Sequence, residues 1–150
     1  MSLKIEPLSW WHIAKAHKID QQVFNATAWS LNTFWDELSL QNRYYLALTD
    51  EKGEIVGFGG AAFNGADADI QTMVIKPEYQ NKGFGGKLLD ALLEKIKEKN
   101  ANRISLEVVA ENQPAIALYK SRKFDQIAKR SNYYPNGNDA VVMQLDLRSK

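Results

Sequence analysis

The sequence predicts one α/β domain over residues 1–150, in which a mixed β-sheet carries helices on its faces. Two observations support this fold class. Segments with the period-two alternation of strands, bounded by turn residues, are interleaved with segments whose apolar residues recur at helical spacing. The length of 150 residues, with 45% apolar and 25% charged residues, is typical of a single globular domain with a buried core. The predicted order of elements is β-α-α-β-β-β-α-β-α-β-β.

The N-terminal part is predicted to be a short strand, Leu3–Pro7, followed by two amphipathic helices. The first helix covers Trp11–Phe24 and the second covers Ser30–Leu40, because both segments repeat apolar residues at intervals of three or four. In the first helix these apolar residues are Ile13, Ala16, Ile19 and Val23. In the second helix they are Leu31, Phe34, Trp35 and Leu38.

A hairpin and a further strand follow the two helices. The strands Arg43–Thr49 and Glu54–Phe63 flank Asp50-Glu51-Lys52-Gly53, whose composition is typical of a tight turn. The next strand is Ala68–Ile75. Pro77 marks its end, because proline cannot donate a hydrogen bond to the ladder.

The C-terminal part is predicted to contain a long helix, a strand, a short helix and two closing strands. The long helix follows a glycine-rich segment, and its apolar face consists of Phe84, Leu88, Leu89, Leu92, Leu93 and Ile96. The strand is Arg103–Val109, and the short helix is Pro114–Ser121, with proline in its first turn. The closing strands are Phe124–Arg130 and Ala140–Leu147.

Composition and charge narrow the classes of function. The formal net charge is +1, so we expect no bulk attraction to nucleic acid or to an anionic membrane. No apolar run approaches the roughly 20 residues that span a bilayer, and no signal-peptide core stands at the N-terminus. The absence of cysteine excludes disulfides, cysteine-ligated zinc and a cysteinyl acyl-enzyme, and a cytoplasmic protein is expected. His12 and His17 join no acidic cluster with ligand spacing, so no metal is expected.

The segment Gln80–Gly86 joins a strand end to the start of the long helix. The first amides of a helix have no intrahelical partner and lie at the positive end of its dipole. The glycines of this turn allow a phosphate to approach the backbone, and Lys82 and Lys87 add positive charge. The turn therefore suits a pyrophosphate, although a plain strand-to-helix loop explains the spacing alone equally well.

Two other phosphate motifs fit this sequence poorly. A P-loop ending at Lys87 would need glycine at 81 and serine or threonine at 88, where the chain has Asn81 and Leu88. The run Gly57–Ala62 matches G-x-G-x-x-A, but no helix follows it. We interpret it as a strand whose glycines permit a bulge or close packing.

Three segments carry a family resemblance. Val74–Gly85 resembles the acetyl-CoA signature (Q/R)-x-x-G-x-(G/A) of the GNAT superfamily of N-acetyltransferases. The other two segments resemble one branch of it, the ribosomal-protein-alanine N-acetyltransferases. They are Leu106-Glu107-Val108 with Asn112 and Ala115–Tyr119, and Arg130–Pro135 with Asp139-Ala140 and Met143. The resemblance is strongest from about residue 72 to residue 143.

The resemblance implies a mostly antiparallel central sheet and acetyl-CoA as co-substrate, with no metal. It implies that the backbone of Met73, Val74 and Ile75 lines the acetyl-pantetheine arm and that Asn112 contacts the cofactor. The turn that it assigns to cofactor binding consists of Gln80, Asn81, Lys82, Gly83, Phe84, Gly85 and Gly86.

The resemblance also implies that Glu107 is the general base and Tyr119 the general acid, with Tyr133 and Tyr134 on the acceptor side. From the residues alone, Glu107 would be a surface strand glutamate and Tyr119 a buried core tyrosine. We interpret the tryptophans as core and interface residues, and a position beside the acceptor groove stays open for one of them, Trp29.

Three residues depart from the branch pattern and leave the acceptor open. Val109 stands where the branch usually has arginine, Glu111 where it favours a small polar residue, and Lys123 where glycine commonly precedes the aromatic residue. None of the three departures removes a residue with an implied catalytic role.

The resulting hypothesis is acetyl transfer from acetyl-CoA to an amine by direct attack in a ternary complex. The expected acceptor is the N-terminal α-amine of a protein, including a ribosomal protein, with no nucleic-acid or membrane partner. Two alternatives remain open: a GNAT enzyme that acetylates a small-molecule amine or a lysine side chain, and a non-catalytic acyl-CoA-binding module. The sequence leaves the oligomeric state open.

Overall fold

The computed structural model describes residues 3–24 and 28–148, and the order of its elements confirms the one predicted. The strands are β1 Lys4–Pro7, β2 Arg43–Thr49, β3 Ile55–Asn64, β4 Asp67–Ile75, β5 Arg103–Val109, β6 Asp125–Arg130 and β7 Ala140–Asp146. The helices are α1 Ile13–Phe24, α2 Leu31–Ser39, α3 Phe84–Glu98 and α4 Gln113–Ser121. Two short 3₁₀ turns, Trp10–His12 and Pro77–Tyr79, precede α1 and follow β4.

The seven strands form one sheet in the order β1-β2-β3-β4-β5-β7-β6. Every neighbouring pair is antiparallel except β4 and β5, so the expected mixed, mostly antiparallel sheet is confirmed. The parallel pair is short, since only Asp67–Asp69 pairs with Arg103–Ser105. Past that point the two strands no longer pair with each other, and the sheet opens between them.

A bulge in β4 lies beside this opening. Gly60 of β3 pairs with Thr72 and Ala61 pairs with Ile70, so Gln71 is the extra residue on β4. A bulge bends its strand and redirects a side chain. Gly60 also leaves room for a ring, because a Cβ at that position would lie 2.0 Å from the ring of Tyr45. The interpretation of this stretch as a glycine-containing strand is therefore confirmed.

Helices cover both faces of the sheet, and each face has its own core. On one face α3 and α4 pack on the sheet through a group that includes Leu88, Leu92 and Ile116. On the other face α1 and α2 pack through a group that includes Ile13 and Phe34. The opening between β4 and β5 therefore lies in the middle layer of a three-layer domain.

Three of the four tryptophans, which the sequence assigned to the core or to interfaces, lie on the surface. Trp10, Trp11 and Trp35 expose 66%, 61% and 49% of their surface, because they lie on the outward sides of the first 3₁₀ turn and of α2. His12 is buried instead, and its Nδ1 accepts a hydrogen bond from the backbone N–H of Ser9 at 2.9 Å. Within the described ranges no helix has the length and apolar character to cross a membrane.

Candidate active site

The Gln80–Gly86 turn connects the end of β4 to α3 with two residues in left-handed conformations. Asn81 has φ +62° and Gly83 has φ +86°, and α3 begins at the next residue, Phe84. The Gln80 side chain donates from Nε2 to the carbonyl oxygen of Ile75 at 2.8 Å, which ties the turn to the strand end. The first amides of α3 have no intrahelical partner, so they are available to an anion at this helix start.

The glycines of this turn serve different purposes. A Cβ at Gly83 would meet no atom within 4 Å, so the backbone there is open to a ligand. A Cβ at Gly86 would lie 2.7 Å from an Nη atom of Arg122, whose guanidinium donates to both carboxylate oxygens of Asp90. Gly86 therefore makes room for the approach of that arginine to α3.

Two cavities meet at the opening between β4 and β5. The first cavity, of about 350 Å³, extends to Met73, Asn112 and Tyr119. The second cavity, of about 600 Å³, extends to Arg130 and Tyr133. Six residues line both cavities: Trp29, Ile70, Gln71, Leu106, Glu107 and Tyr134.

Glu107 is the carboxylate at the junction of the two cavities. It is an exposed residue of β5 between two buried neighbours, Leu106 and Val108. Its Oε1 accepts a hydrogen bond from the hydroxyl of Tyr133 at 3.0 Å, and its Oε2 lies 3.1 Å from Nε of Arg130. These two contacts, one from the last residue of β6 and one from the segment that joins β6 to β7, hold the carboxylate in place.

Tyr119 lies on α4 and lines only the first cavity. Its ring packs edge-on against Phe124 at 5.8 Å, and only 7% of the residue is exposed. Burial, with a smaller contribution from Tyr134, raises the pKa of Tyr119 to about 12. The phenol is therefore protonated at neutral pH, and within the described part of the chain its hydroxyl makes no hydrogen bond.

Tyr133 and Tyr134 are neighbours with different surroundings. Their rings meet edge-on at 5.1 Å. The hydrogen bond to Glu107 raises the pKa of Tyr133, whose ring also carries the guanidinium of Arg130 at 5.2 Å. Burial is the main cause that raises the pKa of Tyr134 to about 12, and the charge of Glu107 adds to it. Both tyrosines line the second cavity.

Asn112 begins α4, and its side chain has a structural role. Its Oδ1 accepts a hydrogen bond from the backbone N–H of Ala115 at 3.2 Å, which is an N-cap. Within the described ranges its amide nitrogen has no hydrogen-bond partner, and Asn112 lines the first cavity together with Met73 of β4. Val74 is buried and Ile75 is half-buried, and neither residue lines either of the two cavities.

Sequence reasoning missed three residues of the junction. Arg130 was noted only as the start of a signature segment, although its ion pair holds Glu107. Gln71 reaches both cavities because of the bulge, which has no recognisable pattern in the sequence. Asp69 lines the second cavity, and burial together with the nearby charges of Asp67 and Glu107 raises its pKa.

The sequence is similar to those of known proteins. Residues 9–124 match the sequence model of the Acetyltransferase (GNAT) family. A Bacillus subtilis (strain 168) protein, provisionally named a ribosomal protein bS18-alanine N-acetyltransferase, is 38% identical over 137 residues, which cover 90% of this chain and 89% of that protein.

Two solved structures have the same fold. The crystal structure of the ribosomal-protein-S18-alanine N-acetyltransferase from Escherichia coli superposes with a TM-score of 0.89 at 30% identity, covering 97% of this chain and 94% of that one. Arabidopsis thaliana NAA60 in complex with acetyl-CoA has a TM-score of 0.87 at 16% identity, covering 98% and 99%, which shows the fold alone.

Proposed function

This chain belongs to the GNAT family of acetyltransferases, and from that premise we propose that its acceptor is the N-terminal α-amine of a protein. The chain is an acetyl-CoA-dependent N-acetyltransferase. The Bacillus and Escherichia relatives are named for acetylating an alanine of ribosomal protein S18, which supports an N-terminal acceptor, including one on a ribosomal protein.

The observation that carries the proposal is the position of Glu107 at the junction of two cavities. A base for acyl transfer must reach the amine while the amine reaches the acyl carbon. The first cavity contains the implied cofactor contacts Met73 and Asn112, and the second contains Tyr133. We assign the first cavity to the acetyl-pantetheine arm and the second to the acceptor.

Residues of the chain fit the cofactor that the family uses. The backbone of Met73, Val74 and Ile75 is assigned to the acetyl-pantetheine arm, and Asn112 to a polar contact with it. The amides of the Gln80–Gly86 turn are assigned to the pyrophosphate, whose charge favours the positive end of α3. Acetyl-CoA supplies the acetyl thioester.

The proposed reaction is a direct transfer in a ternary complex. An α-ammonium group loses a proton to Glu107, directly or through water. The free amine forms a bond from nitrogen to the acetyl carbon, and the bond from that carbon to sulfur breaks. The attacking nitrogen loses a second proton as the amide forms, and the leaving thiolate takes up one proton. The reaction therefore balances with one net proton released to solvent and without a covalent enzyme intermediate.

Tyr119 is assigned to the leaving thiolate, since it lines the first cavity and not the second. A thiol has a pKa near 8.5, and Tyr119 has a pKa of about 12, so complete proton transfer from the phenol to the thiolate is uphill. The hydroxyl therefore acts mainly as a hydrogen-bond donor that stabilises the thiolate, with water completing the protonation.

Acid–base chemistry also favours an α-amine. An α-amine titrates near about 7.7–8.0 and a lysine near about 10.4. The difference, roughly 2.5 pKa units, is a deprotonation cost on the order of 3 kcal/mol. A site with one carboxylate base therefore favours the α-amine, unless its groove is shaped for lysine.

One peptide in two forms tests the acceptor. The first form has a free N-terminal alanine and blocked lysines, and the second has a blocked N-terminus and free lysines. We expect the first form to be acetylated at least about tenfold faster at neutral pH, as scored by mass spectrometry. Preference for the lysine form, or activity only on polyamines, would contradict the proposal and favour the alternative acceptors.

The proposed acceptor also supports a location for the enzyme in the cell. A protein that acetylates ribosomal proteins acts where they are made, which supports a cytoplasmic enzyme without a nucleic-acid or membrane partner of its own. The net charge of +1 supports the same inference.

A further inference from the structure

Asp20 is a buried carboxylate that the reaction described above does not use. It lies on α1, exposes 2% of its surface and shares the apolar side of the helix with Ile13 and Ala16. Its Oδ2 accepts a hydrogen bond from the backbone N–H of Trp29 at 2.6 Å. The bond joins α1 to the irregular segment that precedes α2.

The residue held by this bond is a wall of both cavities. Trp29 lines the first and the second cavity, beside Gln71 and Glu107. Its ring also packs edge-on against Phe34 at 5.2 Å and Tyr45 at 6.2 Å. Because Trp29 lies in neither helix, its backbone has no helical hydrogen bond to fix it, and Asp20 supplies one.

The ionised form of the Asp20 carboxylate does not stabilise the folded protein. Burial raises the pKa of Asp20 to about 6, and the Trp29 amide and the charge of His17 only partly oppose that shift. The pKa in the folded protein lies above that of the unfolded chain. Ionised Asp20 therefore favours unfolding, fully so above about pH 6. At neutral pH the ionisation of Asp20 therefore lowers the stability of the fold.

We propose that Asp20 is a positioning residue for the acceptor, because its hydrogen bond fixes Trp29 as the wall that orients the amine toward Glu107. The inference rests on the proposed function in one respect, the assignment of the second cavity to the acceptor. Asp20 touches neither substrate and acts through Trp29.

Two substitutions separate this role from a structural one. Asp20→Leu removes the acceptor of the hydrogen bond, and Asp20→Asn keeps a weaker, uncharged acceptor. We expect Asp20→Leu to raise KM for the acceptor about tenfold, the factor for losing a charge-assisted hydrogen bond. For Asp20→Asn we expect a KM for the acceptor between those of the wild type and of Asp20→Leu. We expect kcat and KM for acetyl-CoA to change much less, and Tm at pH 7 to stay equal or to rise in both variants.

Matched controls come from α2. Asp36 is exposed and lines neither cavity, so Asp36→Leu and Asp36→Asn make the same changes of charge and shape without touching Trp29. We expect both to leave the KM for the acceptor unchanged. A readout without substrates is the exchange rate of the Trp29 backbone amide by NMR, which we expect to rise in Asp20→Leu and not in Asp36→Leu.

The outcomes distinguish the two proposals. An unchanged acceptor KM in Asp20→Leu would overturn this inference. So would a joint loss of Tm, kcat and both KM values in Asp20→Leu and Asp20→Asn, since that pattern marks a structural residue. If the wild-type enzyme prefers a lysine or a small amine, the proposed function fails, and the Asp20 variants are then compared with that amine.

Discussion

The proposed cofactor side and the proposed acceptor side of the site are built in different ways. The Gln80–Gly86 turn is one continuous stretch, whose shape comes from a left-handed glycine and the start of α3. The acceptor side is assembled from residues far apart in the chain, such as Trp29, Gln71 and Tyr133. One side uses backbone groups, and the other uses side chains held by tertiary contacts.

This difference indicates on which of the two sides recognition can change through single substitutions. Recognition by backbone amides depends on the path of the chain and tolerates many side chains, so the turn serves any acceptor that the enzyme uses. Recognition by side chains can be altered by single substitutions that leave the fold intact.

The largest effect is expected at the junction of the two sides. Glu107→Gln keeps the shape of the side chain and removes the base. We expect turnover to fall about 10²–10⁴-fold, the usual range for general acid–base catalysis, while affinity for acetyl-CoA is kept. Steady-state kinetics with acceptors of different pKa measure the change, and the acidic limb of the pH–rate profile should flatten or move.

The control for this substitution is Glu111→Gln. Glu111 is an exposed glutamate just past the end of β5 that lines neither cavity. Its variant should keep the wild-type rate and profile. A Glu107→Gln enzyme with the wild-type rate and profile would reject the assignment of the base.

A smaller effect is expected on the cofactor side, from Tyr119→Phe. Loss of one hydrogen-bond donor to the leaving thiolate should lower kcat about 10²-fold. Tm should hold, because the hydroxyl has no hydrogen-bond partner in residues 3–24 and 28–148. Tyr44→Phe, on a tyrosine that lines neither cavity, is the control. Full turnover in Tyr119→Phe, with chemistry shown to be rate-limiting, would make Tyr119 a structural residue.

The smallest effect is expected from Gly83→Glu in the turn. The substitution places a negative charge beside the proposed pyrophosphate position, and we expect calorimetry to show affinity for acetyl-CoA weakened roughly tenfold. Gly53→Glu is a matched control. Gly53 has φ +80° against +86° for Gly83, and neither Cβ would meet an atom within 4 Å. Both variants therefore carry similar backbone strain. If the two variants bind acetyl-CoA with equal affinity, the pyrophosphate does not bind at the Gln80–Gly86 turn.

The sequence predicted the fold well because its elements are specified locally. Helical spacing in α3 and the alternation of β5 are properties of short windows, and the element bounds agree within a residue or two. Which tryptophans are buried was not predictable, for the opposite reason. Burial depends on what packs against a side chain, and Trp10, Trp11 and Trp35 lie exposed on the first 3₁₀ turn and on α2.

One missed residue did have a signal in the sequence. Asp20 falls seven residues after Ile13 and four after Ala16, so it lies on the apolar side of α1, where a carboxylate is unexpected. The partner of that carboxylate was not predictable, because the backbone N–H of Trp29 approaches it only after α1 and α2 have packed.

By itself the sequence determined the order of the elements, the glycine turn at the start of α3 and, through family resemblance, the candidates Glu107 and Tyr119. These features depend on local backbone preference or on motifs that span a few residues. Only the tertiary structure decided that two cavities meet at Glu107, that Arg130 and Tyr133 hold it, and that Trp29 forms a common wall. The physical reason is that β4 and β5 stop pairing after three residues, and an opening between two strands is a property of the assembled sheet that neither strand carries alone.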